Sequence, residues 1–174
     1  MIIPCSENIT LRSISEEDTD KVLRWRNSGD VVKYFNYQEE VTEADHADWL
    51  ETKVKTGKVY QFIIHDSSLG KDVGTVYIKD IDNRNHKAEY GVFIGEKDAA
   101  GRGTGTIVAK AMIAFSFEKL HLHRLYLQVH ADNTRAIRCY ERAGFSKEAL
   151  LKDDVFVNGK YCDLVIMGIV REDR

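Results

Sequence analysis

The 174-residue chain is 43% hydrophobic and 30% charged with a formal net charge of -3, which suits one buried core and excludes the broad basic field that sequence-independent nucleic-acid binding demands. It has no run of eighteen apolar residues, and Met1 to Asn8 lack a charged region followed by an apolar signal core, so a soluble, cytoplasmic protein without a membrane partner is expected. Cys5, Cys139 and Cys162 are odd in number and show no C-x-x-C spacing, which argues against a disulfide framework and a structural zinc site.

With Pro4 as the only proline and no Gly/Ser-rich stretch, residues 1–174 read as a single domain whose core runs from Ile9 to Val170. Ile9 to Ser13 alternates apolar and polar residues as a strand does. Ser15 then caps a helix with an acidic first turn, Glu16 to Asp20, carrying Val22, Leu23 and Trp25 inward. A second helix is expected from Thr42 to about Lys55, closed by Gly57. Val59 to His65, Val73 to Ile81 and Lys87 to Ile94 are rich in β-branched and aromatic residues and are separated by turn signals. They read as three antiparallel strands.

Gly101 to Gly105 leads into a long helix ending near His121, with an apolar stripe through Ile107, Val108, Ala111, Met112 and Phe115. Arg124 to His130 is a strand, Asn133 to Arg142 a short helix stopped by Gly144, and Ser146 to Leu151 and Tyr161 to Val170 the closing strands, with Asn158-Gly159 as a turn. The order is strand, two helices, three strands, helix, strand, helix, two strands. A mixed, mostly antiparallel central sheet covered by helices follows, in the α/β or α+β class.

Ala100-Gly101-Arg102-Gly103-Thr104-Gly105-Thr106 stands where a strand hands over to the central helix, so its backbone N–H groups form an anion site that a pyrophosphate fits. A flexible connection is the bland alternative. A dinucleotide fingerprint starting at Gly103 would need glycine or alanine where Val108 stands, and a P-loop would need Gly-Lys-Ser or Gly-Lys-Thr, which does not occur.

A second segment is more specific: Asn133, Ala136, Tyr140, Gly144 and Phe145 follow a strand in the pattern Asn-x-x-Ala-x-x-x-Tyr-x-x-x-Gly-Phe. With the glycine-rich loop upstream, the chain resembles the GCN5-related N-acetyltransferase (GNAT) superfamily over nearly its whole length. Ala88-Glu89-Tyr90-Gly91-Val92, and Phe156 to Tyr161 with Met167 beyond, are similar to its ribosomal-protein and polyamine branch. Leu23-Arg24-Trp25-Arg26-Asn27 resembles enzymes that acetylate nucleotide-linked amino sugars. One departure is Ala100, where the family's loop usually opens with Gln or Arg.

The resemblance implies an acetyl-CoA-dependent N-acetyltransferase without a metal, acting on a polyamine, an amino sugar nucleotide or a protein N-terminal amine. Its alternative is a non-catalytic acyl-CoA-binding or regulatory module of the same fold. It makes Tyr140 the general acid for the leaving sulfur, with helix packing as the structural alternative, and Asn133 a hydrogen-bond partner of the cofactor arm or merely a helix cap. It assigns the pyrophosphate to Gly101, Arg102, Gly103, Thr104, Gly105 and Thr106, and the pantetheine arm and oxyanion to the backbone of Val92, Phe93 and Ile94.

An alkyl amine is protonated at neutral pH and must lose a proton before it attacks. Glu89 is the candidate base, and its alternative is a rim glutamate paired with a cation such as Lys87 or Arg124. His121 and His123 lack an acidic or Cys partner for a metal, and Cys139 is not expected to act as a catalytic thiol. Trp25 and Trp49 are expected in the core or along a substrate cleft. The acidic cluster Glu39, Glu40, Glu43, Asp45 and Asp48 would attract a polycationic amine, whereas Arg24 and Arg26 would suit phosphates. A homodimer is expected only by analogy with the family.

Overall fold

Strand β3 (Tyr60–Asp66) shows how the layers arise, because its alternate side chains enter different cores. In the computed structural model, which describes residues 1–172, Phe62 and Ile64 pack with Val108, Met112 and Phe115, while Ile63 packs with Val22, Trp25 and Leu50. Helices α4 (Thr104–Glu118) and α5 (Thr134–Ala143) therefore cover one face of the sheet. Helices α1 (Thr19–Arg26) and α3 (Glu43–Trp49) cover the other, with α3 continued by a π-helical turn over Leu50–Val54.

The remaining strands are β1 (Ile2–Pro4), β2 (Ile9–Ser13), β4 (Lys71–Asp82), β5 (Lys87–Ile94), β6 (Arg124–His130), β7 (Ser146–Val157) and β8 (Lys160–Val170). They form one eight-stranded sheet in the order β1-β2-β3-β4-β5-β6-β8-β7, antiparallel everywhere except between β5 and β6.

That parallel pair creates the site. It is confined to Lys87↔Arg124, Ala88↔Leu125 and Glu89↔Tyr126, after which β5 runs on to Ile94 and β6 to His130 without pairing. The sheet is split at its centre, and the inner edges of both strands face a wedge.

Two boundaries and two short elements differ from the sequence reading, each for a physical reason. Strand β7 runs to Val157 rather than Leu151, because the Asn158-Gly159 turn, with φ of 50° and 73°, closes a two-residue hairpin that pairs Val157 with Lys160. The central helix stops at Glu118 rather than near His121, where a left-handed φ of 55° turns the chain into β6. Strand β1 and the single turn α2 (Gly29–Val32) were not anticipated: at three and four residues, both are too short to show a period. The expected cap at Thr42 is present as a capping box, with the Thr42 hydroxyl accepting from Asp45 N and the Asp45 carboxylate accepting from Thr42 N.

Candidate active site

The wedge opens into a cleft of about 400 Å³. Glu89, Val92, Phe93 and Ile94 line it from β5, His130 from the end of β6, and Asn133 and Tyr140 from α5. Six of the residues singled out in the sequence thus share one cavity. Past Glu89 the β5 backbone has no strand partner on the β6 side, so its peptide groups are available to an extended ligand arm.

The glycine loop is not part of this cavity. It lies at the start of α4, where Gly101 (φ 76°) and Gly103 (φ 81°) adopt left-handed conformations that need glycine. Gly103 is the N-cap, no side chain caps the helix, and the first helical bond runs from Ile107 N to Gly103 O. The N–H groups of Thr104, Gly105 and Thr106 are therefore left to an anion at the positive end of a fifteen-residue helix. Arg102 faces a small neighbouring pocket, donating to Ser68 Oγ at 2.9 Å with its Nε 3.8 Å from Asp66 Oδ2. Gly105 marks a close approach, since a Cβ there would stand 2.9 Å from Cys139 Sγ on α5. That contact turns Cys139 toward α4, and the Thr106 hydroxyl lies 3.4 Å from the same sulfur.

Tyr140 packs edge-on against Tyr90, with ring centroids 6.0 Å apart, and against Phe145 at 6.1 Å. Burial pushes its phenol above the usual range, so the group is protonated at neutral pH. Asn133 caps α5 through Oδ1, which accepts from Ala136 N at 3.3 Å, and the same residue borders the cleft. Burial also pushes the Glu89 carboxyl up, against the opposing pull of Lys79. The cation beside Glu89 is neither Lys87 nor Arg124: Lys79 Nζ lies 3.5 Å away, placed by the cross-strand register Lys79↔Glu89, and Arg124 binds Glu148 instead.

Several lining residues were missed in the sequence. Tyr34, Phe35, Asn36 and Tyr37 belong to a segment without helix or strand, residues 33–42, that closes over the cleft. Three aromatic residues in four, outside any periodic element, were the available signal. His130 Nε2 pairs with Asn36 Oδ1 at 2.9 Å and ties this segment to the end of β6, and burial lowers the pKa of the imidazole. Tyr77 lies across Gly91, where a Cβ would meet its ring at 2.4 Å.

Three of the other candidates are engaged outside the cleft. Trp25 is buried and donates to Glu96 at 2.7 Å, Arg24 pairs with the same carboxylate at 2.7 Å, and Trp49 donates to Gln61 at 2.8 Å. Among the described residues, no group of three or more His, Cys, Asp or Glu side chains is placed to hold a metal, His121 and His123 included.

Residues 8–146 match the acetyltransferase (GNAT) domain family. The spermidine N(1)-acetyltransferase of Escherichia coli (strain K12) is 27% identical over 96% of this chain and 88% of that protein. The putative ribosomal N-acetyltransferase YdaF of Bacillus subtilis (strain 168) is 27% identical over 97% and 94%. In three dimensions, the crystal structure of spermidine N-acetyltransferase from Vibrio cholerae in complex with CoA and spermine overlays with a TM-score of 0.88 at 24% identity, covering 95% of this chain and 96% of that one. The family match spans most of the chain: the chain belongs to the GNAT acetyltransferases and is an N-acetyltransferase that takes its acetyl group from acetyl-CoA.

Proposed function

We propose that the protein transfers the acetyl group to a primary amine by direct attack, with Tyr140 as the general acid. The observation that carries this reading is the convergence of Tyr140, Glu89 and the unpaired β5 edge, Val92 to Ile94, on one cleft. Acetyl-CoA supplies an activated acyl group, and the chain's own residues do the rest. The uncapped start of α4 holds the pyrophosphate through backbone N–H groups, and the β5 edge receives the pantetheine arm as an added strand. A backbone N–H within Val92 to Ile94 stabilises the oxyanion that forms when the amine adds to the carbonyl.

Glu89 accepts the proton that the ammonium must lose before attack, directly or through a water, Tyr140 donates its own to the departing sulfur, and the second proton lost by the nitrogen of the intermediate restores the phenol. Burial raises the Glu89 carboxyl, which makes it a stronger base, and keeps the Tyr140 phenol protonated until the thiolate departs, while making it the weaker acid for that step. Because amine nitrogen and sulfur exchange the acetyl group directly, no enzyme nucleophile is needed.

The test is thioester consumption by the purified chain with acetyl-CoA and a panel of amines that includes spermidine, an amino sugar nucleotide and a peptide with a free N-terminus. Consumption with at least one amine and formation of its N-acetyl product are expected. Coenzyme A binding in calorimetry without turnover on any amine would overturn the reading.

A further inference from the structure

A second cavity of about 380 Å³ adjoins the cleft and shares Phe35, Tyr37, Tyr77, Lys79 and Phe93 with it. Its remaining walls come from α1, α3, β3 and Val41 of the irregular segment, and their apolar part is Val22, Leu23, Val41 and Trp49. Among its polar lining residues, which also include Asp45, Gln61 and Lys79, two are buried with unmet hydrogen-bonding capacity. Arg26 is 8% exposed and His46 5%, and each has a buried nitrogen with no hydrogen-bond partner, Nη1 of Arg26 and Nε2 of His46.

Arg26 is the more telling of the two. Its other terminal nitrogen donates to the Tyr37 carbonyl, and its guanidinium lies 4.0 Å above the Phe35 ring. Among the described residues it has no carboxylate within salt-bridge distance, whereas Arg12, Arg24 and Arg124 each have one. Asp45 also lines the cavity, but its carboxylate is engaged in the Thr42 cap, and Glu89 is held by Lys79. A buried cation without a counter-ion is costly, and burial does lower the pKa of Arg26. Such a group persists where an anion completes it.

Resting on the acetyl-transfer reading above, we infer that this cavity takes an anionic group, a carboxylate or a phosphate, carried by the acceptor amine, with Arg26 as its principal ligand. The planar guanidinium fork suits either oxyanion. His46 adds a second donor when the Thr19 hydroxyl, 3.0 Å from Nδ1, donates to that nitrogen and leaves the ring proton on Nε2. Lys79 stands between cavity and cleft and adds charge of the same sign. The covering residues Phe35 and Tyr37 lie in the irregular segment 33–42, so the anion can enter by replacing the Tyr37 carbonyl on Arg26 without disturbing a helix or strand. A polycation gains nothing from such a pocket. The acceptor preference therefore departs from that of the spermidine-acetylating relatives.

The experiment compares matched acceptors that differ only in the anion, using the full chain and acetyl-CoA: glucosamine against glucosamine 6-phosphate, and β-alaninamide against β-alanine. With the native chain, the anionic member of at least one pair is expected to have the higher kcat/KM, and the pair that shows it identifies phosphate or carboxylate. In Arg26→Gln the ratio of anionic to neutral kcat/KM should fall about tenfold or more, with partial recovery in Arg26→Lys. If Arg26→Gln does not fold, the same ratio in Arg26→Lys and competitive inhibition of the native chain by inorganic phosphate or acetate against the amine decide the matter. Turnover of neutral amines or spermidine with no advantage for either anionic member, or a ratio unmoved by substitution of Arg26, overturns this inference alone. No thioester consumption with any amine overturns the transferase reading and this inference with it.

Discussion

In the proposed mechanism Tyr140 must hold its proton until a thiolate departs, and its apolar setting between Tyr90 and Phe145 keeps the phenol protonated. The same burial disfavours the phenolate that results, so the transfer requires local stabilisation of that anion. Removing the hydroxyl should therefore damage the chemical step rather than binding. Tyr140→Phe is expected to lower kcat by about 10²-fold or more while coenzyme A affinity in calorimetry changes little, and an unchanged kcat would remove the phenol from the mechanism. For Glu89, burial raises the carboxyl above its ordinary value and the active form is the deprotonated one. kcat/KM should then fall as the pH drops through a value above the usual carboxylate range. Glu89→Gln should lower the plateau and abolish that acidic limb, and a limb that persists in the variant would assign the titration to another group.

The elements that hold these residues depend on one narrow contact. Gly105 lets the start of α4 approach α5 so closely that an added Cβ would meet Cys139 Sγ at 2.9 Å. Helix α5 carries both Asn133 and Tyr140 into the cleft, so this contact fixes the distance between the glycine loop and Tyr140. Gly105→Ala is expected to cost about 1–3 kcal/mol by overpacking, seen as a melting temperature lower by several degrees. Adding Cys139→Ala should return most of the loss, and purely additive effects in calorimetric melts would show that the two side chains do not compete.

Much of this element layer was legible in the sequence. The strand carrying Glu89 and the helix holding Tyr140 are long enough to show their period, and Asn158-Gly159 and Gly144 announce their turn and cap. What was not legible depends on register and on approach between elements distant in the chain. Lys79 rather than Lys87 faces Glu89 because a bulge between Lys79 and Asp82 sets the pairing of β4 with β5, and Arg26 turned inward rather than toward solvent because Phe35 and Tyr37 fold over it. Neither fact leaves a trace in local spacing.

At the scale of the whole molecule, one charged network fastens α1 to the neighbouring strands β2, β3 and β4 through residues that do not line the cleft. Arg12 of β2 binds Asp18 at 2.7 Å and Asp72 of β4 at 2.6 Å, Lys21 of α1 binds Asp72 at 2.7 Å, and His65 of β3 lies 2.9 Å from the same carboxylate. Burial alone would raise Asp18, which is 1% exposed, but hydrogen bonds from Arg12, the Ser15 N–H and Lys21 outweigh it and hold the carboxyl well below the usual range. Asp72 is lowered in the same way, burial being outweighed by Lys21, His65 and Arg12.

A carboxyl whose folded pKa lies below its unfolded value contributes stability that is complete above the unfolded pKa, about 3.9, and is lost as the pH falls toward the folded one. The unfolding free energy should therefore hold steady near neutrality and decline progressively below about pH 5. Asp18→Asn removes the charge and one of the two oxygens that Arg12 and Lys21 bind, so it should destabilise the protein at pH 7 by about 2–4 kcal/mol. It should also flatten the acid limb, because the variant has lost one of the groups whose protonation drives it. Urea titrations of both proteins at pH 7 and pH 3.5 measure the two effects together. Equal slopes of stability against pH in native and variant would show that the acid sensitivity arises from carboxylates outside this network.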